Sequence, residues 1–324
     1  MQQREFQRVA TNGISLRAVV HGDGPLIVLV HGFPESWYSY RHQLEPLREA
    51  GFRVAAIDVR GYGGSDKPEA IEAYSMRELT ADVAGVIDSL GGGSAILIGH
   101  DWGAPIVWTT SLLYRRKVRA VVGLSVPYLG QPKRPVVDSY RALYAGKFFY
   151  QLYFQEPGVA ERELEADIPL TLRKTYYSSS GNFTGPERAA LAARPADATF
   201  LAGLVDPQPL PAWLTEADID YYASQFRAGG FRGPLNRYRN YERDFVELRE
   251  LAGAKIEQPA LFIAGEHDPV LHFSRSSTRP LSDVMDPHYT DLRGKHIIPG
   301  VGHWVQQEAP EAVNAALLDF LRQC

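Results

Sequence analysis

The strongest constraint on how this chain folds is a recurrence of short, wholly apolar runs, each followed by a turn and then a helical stripe. Leu26 to Val30 reads LIVLV, Ser94 to Gly99 reads SAILIG and Ala260 to Gly265 reads ALFIAG. Runs this short, without polar alternation, suit strands covered on both faces, as in a parallel sheet flanked by helices. Further strands are expected at Ile14 to Val20, Phe52 to Asp58, Val118 to Val126 and His296 to Pro299. Between two of them, Met76 to Leu90 places Leu79, Val83, Val86, Ile87 and Leu90 on one helical stripe, and Gly91 to Gly93 supplies the stop. A second helix is expected from Gly103 to about Arg116, and a last one from Pro310 to Leu321 with Val313, Ala316, Leu317 and Phe320 on one face. Strands alternating with helices predict an α/β fold with a mostly parallel sheet.

The pattern breaks at Pro127. From there to Leu251 no buried strand is expected, and aromatics, prolines and helix patterns fill the stretch. One of those helices should open at Thr215, capped reciprocally with Asp218, and close at Gly229-Gly230. The expected organisation is an α/β core formed by residues 1–127 and 252–324, interrupted by a helical cap at 128–251. Such an insertion would lie over the carboxyl ends of the strands, where open α/β sheets bind ligands.

Composition narrows the class of function. Lys and Arg number 34 against 38 Asp and Glu, a net charge of −4, so the basic excess of a nucleic-acid binder is missing. No apolar run approaches the ~20 residues of a membrane helix, and Met1 to Gly13 has no apolar stretch of the signal-peptide kind. The single cysteine, Cys324, rules out a disulfide framework or a Cys-based zinc site within one chain. The expectation is a cytoplasmic enzyme with no nucleic-acid partner and no membrane insertion.

Four short motifs could carry chemistry. Gly99-His100-Asp101-Trp102-Gly103 follows a strand and opens a helix, and the small residues at 99, 103 and 104 allow a sharp turn that thrusts Asp101 outward. This is the layout of a nucleophile elbow with Asp in the place of Ser, although Asp at a helix start can also be a plain cap. His31-Gly32-Phe33-Pro34-Glu35 follows LIVLV. In an elbow fold that loop gives a backbone N–H to an oxyanion hole, here Phe33, beside the N–H of the residue after the nucleophile, here Trp102. Asp268, in Gly265-Glu266-His267-Asp268-Pro269, and His303, in Gly302-His303-Trp304, each come just past a strand. Alone, each reads as a turn or a surface residue. Together they run nucleophile, acid, histidine, the chain order of α/β-hydrolases.

From about Phe6 to Leu321 the sequence resembles the epoxide hydrolases of the α/β-hydrolase fold, of the soluble type and without the N-terminal phosphatase-like domain of the vertebrate enzymes. HGFPESW (His31 to Trp37), DVRGYGGS (Asp58 to Ser65), GHDWG (Gly99 to Gly103) and GHW (Gly302 to Trp304) carry the resemblance. So do two cap segments, YQLYFQEPG (Tyr150 to Gly158) and FRGPLNRYRN (Phe231 to Asn240). The resemblance implies that Tyr150 and Tyr238 open the ring, with Tyr153 a neighbouring rival to Tyr150. It implies an Asp101, Asp268 and His303 triad, and makes Glu35 an accessory acid, a residue that by itself reads equally as a surface carboxylate. The implied substrate is a small apolar epoxide, with water as the second reactant and no metal or organic cofactor.

These residue types suit that reaction. A carboxylate is already ionised at neutral pH and can displace an alkoxide from a saturated carbon, giving an ester on Asp101. Two phenols can donate to the opening ring oxygen. His303, oriented by Asp268, can then take a proton from the water that attacks the ester. Two alternatives share the pattern. A dehalogenase of the same fold also uses an Asp nucleophile, but its halide calls for N–H donors rather than phenols. A non-catalytic small-molecule receptor would be marked by loss of a triad member, and all three are present. Phe148, Phe149, Phe154, Tyr176, Trp213 and Phe231 are candidates for the lining of an apolar cavity.

Overall fold

Eight strands form one sheet in the computed structural model, which describes residues 5–273 and 281–324. They are β1 (Phe6–Thr11), β2 (Ile14–His21), β3 (Leu26–Val30), β4 (Arg53–Ile57), β5 (Ala95–His100), β6 (Val118–Leu124), β7 (Ala260–Gly265) and β8 (Leu292–Ile298). Their spatial order is β1-β2-β4-β3-β5-β6-β7-β8. β2 is antiparallel to both β1 and β4, and every pairing from β4 to β8 is parallel. All residues of β3, β5 and β7 are buried, so both faces of these strands are covered, as their unbroken apolar runs require. The helix Gly103–Leu113 lies along β5 and β6, and the helix Met76–Ser89 packs against that helix and β1.

The expected elements are present with shifted ends. The second helix stops at Leu113 rather than near Arg116, because Arg115–Lys117 forms a separate 3-10 turn leading into β6. β8 begins at Leu292, earlier than His296, and its mixed exposure hides it from a reading that looks for apolar runs. β1 has no counterpart among the expected strands. It is an edge strand in which only Val9 and Thr11 are buried, so its sequence carries no apolar face.

Between β6 and β7 there is no strand of the sheet, only helices, turns, an isolated bridge of Lys147 with Pro195, and Ile256, which bridges to Tyr289 past β7. Thr215 caps the helix Glu216–Gly229 as expected: its N–H donates to Asp218 Oδ2 at 2.8 Å, and its own oxygen accepts from the Asp218 N–H. These helices are tied by buried hydrogen bonds to the segments that follow the strands. Tyr176 Oη donates to Pro34 O at 3.0 Å, Trp304 Nε1 to Tyr176 O at 2.7 Å, and Tyr38 Oη to Asp218 Oδ1 at 3.0 Å. Among the described residues no helix is long and apolar enough to cross a membrane.

Ile98 is fully buried at the centre of the sheet, between Leu29 of β3 and Val122 of β6. Ile98→Ala should lower unfolding stability by about 2–5 kcal/mol, the range for truncating a core aliphatic side chain. Chemical denaturation checks this, and a loss below half a kilocalorie would mean that the site refills by collapse.

Candidate active site

β5 ends at His100, and the chain turns sharply at Asp101 before entering the helix Gly103–Leu113. Asp101 has φ 48°, a left-handed conformation that few non-glycine residues adopt. Two glycines make room for it. A Cβ on Gly99 would strike the Gly103 backbone, and a Cβ on Gly32 would strike the Asp101 side chain itself. The Phe33 N–H donates to Asp101 Oδ1 at 2.8 Å. The Trp102 N–H, the other expected oxyanion donor, begins the helix beside the carboxylate but has no hydrogen bond to it in this state.

The other oxygen, Asp101 Oδ2, lies 3.3 Å from His303 Nε2. On the far side of the ring, Nδ1–H donates to Asp268 at 3.0 and 3.1 Å. Asp268 is wholly buried just past β7, and His303 is 5% exposed. The turn formed by Asp268 with Pro269 therefore aims a carboxylate inward. Burial alone would lower the His303 imidazole, but the Asp268 and Asp101 carboxylates outweigh it and raise it well above the ordinary histidine range. Burial alone would raise the Asp101 carboxyl. Its hydrogen bond and charge contact with His303, together with His100 and the Phe33 N–H, hold it below the usual range instead.

Above these groups lies a cavity of about 300 Å³ whose lining includes Phe33, Asp101, Tyr150, Tyr238, His303 and Trp304. A second hollow, about 490 Å³, reaches Asp101 and Tyr150 from the side of Trp102, Tyr140 and Tyr241. The rings of Tyr150 and Tyr238 are 6.0 Å apart although 88 positions separate them in the chain. Burial raises both phenols above their ordinary range, and the Asp101 charge adds to this. Tyr153 points elsewhere: its hydroxyl donates to Glu163 at 2.8 Å, and it does not line the cavity. Of the six aromatics considered for the lining, Phe148 and Phe149 face the cavity, whereas Phe154, Tyr176 and Phe231 are fully buried among the helices and Trp213 lies away from it. Among the described residues no group of three or more His, Cys, Asp or Glu side chains is placed to hold a metal ion.

Residues 25–310 match the family model of the α/β hydrolase fold. Epoxide hydrolase A of Mycobacterium tuberculosis is 45% identical, across 97% of this chain and 96% of that protein. The chain belongs to the epoxide hydrolases of the α/β-hydrolase fold. Two solved relatives agree throughout their length. An epoxide hydrolase from an endophytic Streptomyces superposes with a TM-score of 0.93 at 42% identity, covering 99% of this chain and 96% of that one. Epoxide hydrolase A from Mycobacterium thermoresistibile gives 0.91 at 46% identity, covering 99% and 98%.

Three features of this epoxide hydrolase site were out of reach of the motifs. Glu35 is not a surface carboxylate but 1% exposed. Its Oε2 accepts from the Gly32 N–H at 2.9 Å and meets His100 Nδ1 at 2.7 Å, while Oε1 accepts from Gln306 and Gln307, each at 3.1 Å. A buried carboxylate needs such partners, and they come from three separate stretches of chain. Gln151 orients Tyr150: its Nε2 donates to the Tyr150 hydroxyl at 2.8 Å, and Tyr241 Oη donates to its Oε1 at 2.6 Å. Ser125 donates from beneath to the His303 carbonyl at 2.7 Å. Glu35, His100 and Gln151 all stood inside the quoted motifs, but nothing in those motifs marked these contacts, and Ser125 lay outside all of them.

The electrostatics have a measurable consequence. Asp101→Asn removes the charge next to His303 Nε2 and keeps Asp268, so the His303 pKa should fall, as read by NMR titration of the ring. The folded value lies above the unfolded one of about 6.5. The stability supplied by the charged imidazole is therefore complete below that pH and is lost as pH rises through the folded value. In the Asn variant that contribution should be smaller, and its loss, which starts from the same unfolded value, should be complete at a lower pH. An unchanged titration would show that Asp101 is not part of the field that His303 feels.

Proposed function

We propose that this protein hydrolyses small, largely apolar epoxides to vicinal diols through an ester formed on Asp101. The observation that carries the reading is that a carboxylate, a histidine backed by a second carboxylate, and two phenols line one cavity. Relatives named as epoxide hydrolases over the whole chain support it. Residues 128–251 act as the cap that supplies the phenols.

Asp101 Oδ1 is held by the Phe33 N–H, so Oδ2 is the oxygen that attacks. It bonds to one ring carbon, the carbon–oxygen bond of the ring breaks, and the nascent alkoxide receives a proton or a strong hydrogen bond from Tyr150 and Tyr238. A halide leaving group would gain less from phenols, so the dehalogenase alternative is disfavoured. Alkylation neutralises Asp101 and removes one of the two charges that keep His303 protonated. The imidazolium then yields its proton to the alkoxide and phenol group, completing the new hydroxyl and leaving both phenols protonated, and the neutral imidazole is the base for the second step. Water adds to the ester carbonyl, its proton passing to His303 Nε2, while Oδ1 gains charge against the Phe33 N–H. Trp102 N–H is the second donor in this step, and a donor of this kind is typically worth about 3 kcal/mol. On collapse His303 returns that proton to the departing diol oxygen, and the proton left on the new carboxyl passes to the imidazole, so the carboxylate and the charged histidine are restored. Glu35 is an accessory group that holds the Gly32 loop and His100 in place.

Asp101→Asn should keep the fold and lose turnover, because an amide is a poor nucleophile. His303→Gln should still form the ester and hydrolyse it slowly. Intact-mass measurement after addition of styrene oxide should then show protein plus one substrate. Unmodified protein with continuing diol formation would mean direct attack by water.

The phenols are tested by alkylation rates in stopped flow. Tyr150→Phe and Tyr238→Phe should each slow alkylation about ten- to a hundredfold, the effect of losing one transition-state hydrogen bond of about 1.5–3 kcal/mol. The double variant should lose far more, since the alkoxide would be buried without a partner. An unchanged rate in the double variant would remove the epoxide reading.

A further inference from the structure

The main-chain carbonyl of His303 accepts two buried side-chain donors. Ser125 Oγ donates at 2.7 Å and His100 Nε2 at 2.8 Å. A carbonyl oxygen has two lone pairs and can only accept, so both contacts are donations and the oxygen is saturated. The two donors sit at the carboxyl ends of adjacent strands, since His100 pairs with Leu124 and Ser125 follows directly. We propose that Ser125 is a positioning residue for the hydrolytic step: with His100 it clamps the His303 backbone, so that the imidazole stays aimed at the Asp101 ester. The proposal rests on the two-step reading above.

The backbone at Ser125 supports this. Its φ is 70°, and the Val126 N–H returns to Leu124 O at 2.8 Å across it. A three-residue turn with positive φ at its centre is rare and strained for any residue with a Cβ. A glycine would take this conformation without strain, yet a fully buried serine stands there. What serine adds over glycine at this position is a hydroxyl, and its hydrogen bond goes to His303.

The clamp matters more in one half-reaction than in the other. His303 lies on a loop between β8 and the short helix Val305–Glu308, and its N–H is held by Ser179 O of the cap at 2.9 Å. In the free enzyme the ring is flanked by two carboxylates. Once Asp101 is esterified, one of those charges is gone. Orientation then depends on Asp268 and on the backbone, whose carbonyl is fixed from the core side by Ser125 and His100. Alkylation uses Asp101 and the phenols and does not require the ring to aim at water.

The test is single-turnover and steady-state kinetics with styrene oxide in Ser125→Ala and Ser125→Gly, with His303→Gln as reference. Alanine removes the hydroxyl and keeps the strain, whereas glycine removes the hydroxyl and relieves it, so the glycine variant also guards against simple misfolding. Both should slow ester hydrolysis about three- to tenfold, the worth of one hydrogen bond. Alkylation should be retained, so that kcat and KM fall together, kcat/KM holds and the covalent adduct builds up. Wild-type hydrolysis in the glycine variant would overturn the proposal, because the backbone rather than the hydroxyl would then be what matters. Equal slowing of both half-reactions would overturn it too, as general disruption. Adduct in His303→Gln without slowed hydrolysis in either serine variant defeats the clamp alone and leaves the two-step reading standing. No adduct in His303→Gln with diol still forming defeats the two-step reading and, with it, the role given to Ser125.

Discussion

The site depends on one residue held in an unfavourable backbone conformation. Asp101 at φ 48° turns the chain so sharply that its carboxylate stands clear of β5 and of the helix that follows. A left-handed residue with a side chain costs about 1–2 kcal/mol, and the surroundings must offset that. The Phe33 N–H binds the carboxylate, the Asp101 N–H reaches Leu124 O of β6 at 3.3 Å, and Gly32 and Gly99 leave the space. A bulkier residue at either glycine would push the elbow out of place. The buried sheet provides the rigidity, because β3, β5 and β6 pair in parallel register directly beneath the turn.

Around that turn the charges arrange themselves in a line: Asp268, His303, Asp101. A second, deeper pairing, Glu35 with His100, runs behind it and meets the first at the His303 carbonyl. Both carboxylates of the deeper layers are wholly or almost wholly buried, and each is tolerable only because donors converge on it. The same arrangement ties the histidine to the elbow: against the effect of burial, the Asp268 and Asp101 carboxylates together raise the His303 imidazole well above its ordinary range. The inserted helices close the site from above through Tyr150 and Tyr238, and they grip the histidine loop through Ser179.

Much of this was legible in the residues, for local reasons. LIVLV and ALFIAG marked buried strands because both faces of β3 and β7 are covered, whereas β1 stayed invisible because an edge strand with Phe6, Gln7 and Arg8 exposed has no apolar pattern to show. The elbow could be read because Asp101, which alone could be a plain helix cap, is followed along the chain by an acid and a histidine that each come just past a strand. Glu35 could not be placed. Whether a carboxylate is buried depends on distant donors, here His100, Gln306 and Gln307, and nothing next to Glu35 in the chain announces them. The division of the cap aromatics into lining (Phe148, Phe149) and core (Phe154, Phe231) was equally beyond local pattern, since all four are buried and apolar.

The sequence by itself determined most of the strand and helix order, the elbow, and the candidates for nucleophile, acid and histidine. These follow from side-chain periodicity and turn chemistry, which act over a few residues. Tertiary structure alone decided which groups surround them. Ser125 and His100 reach one oxygen from 178 and 203 positions away, and Tyr150 meets Tyr238 only through the folded cap. Such convergence is set by how the sheet twists and how the inserted helices pack on it. Those are properties of the whole chain's packing, and no short window of sequence encodes them.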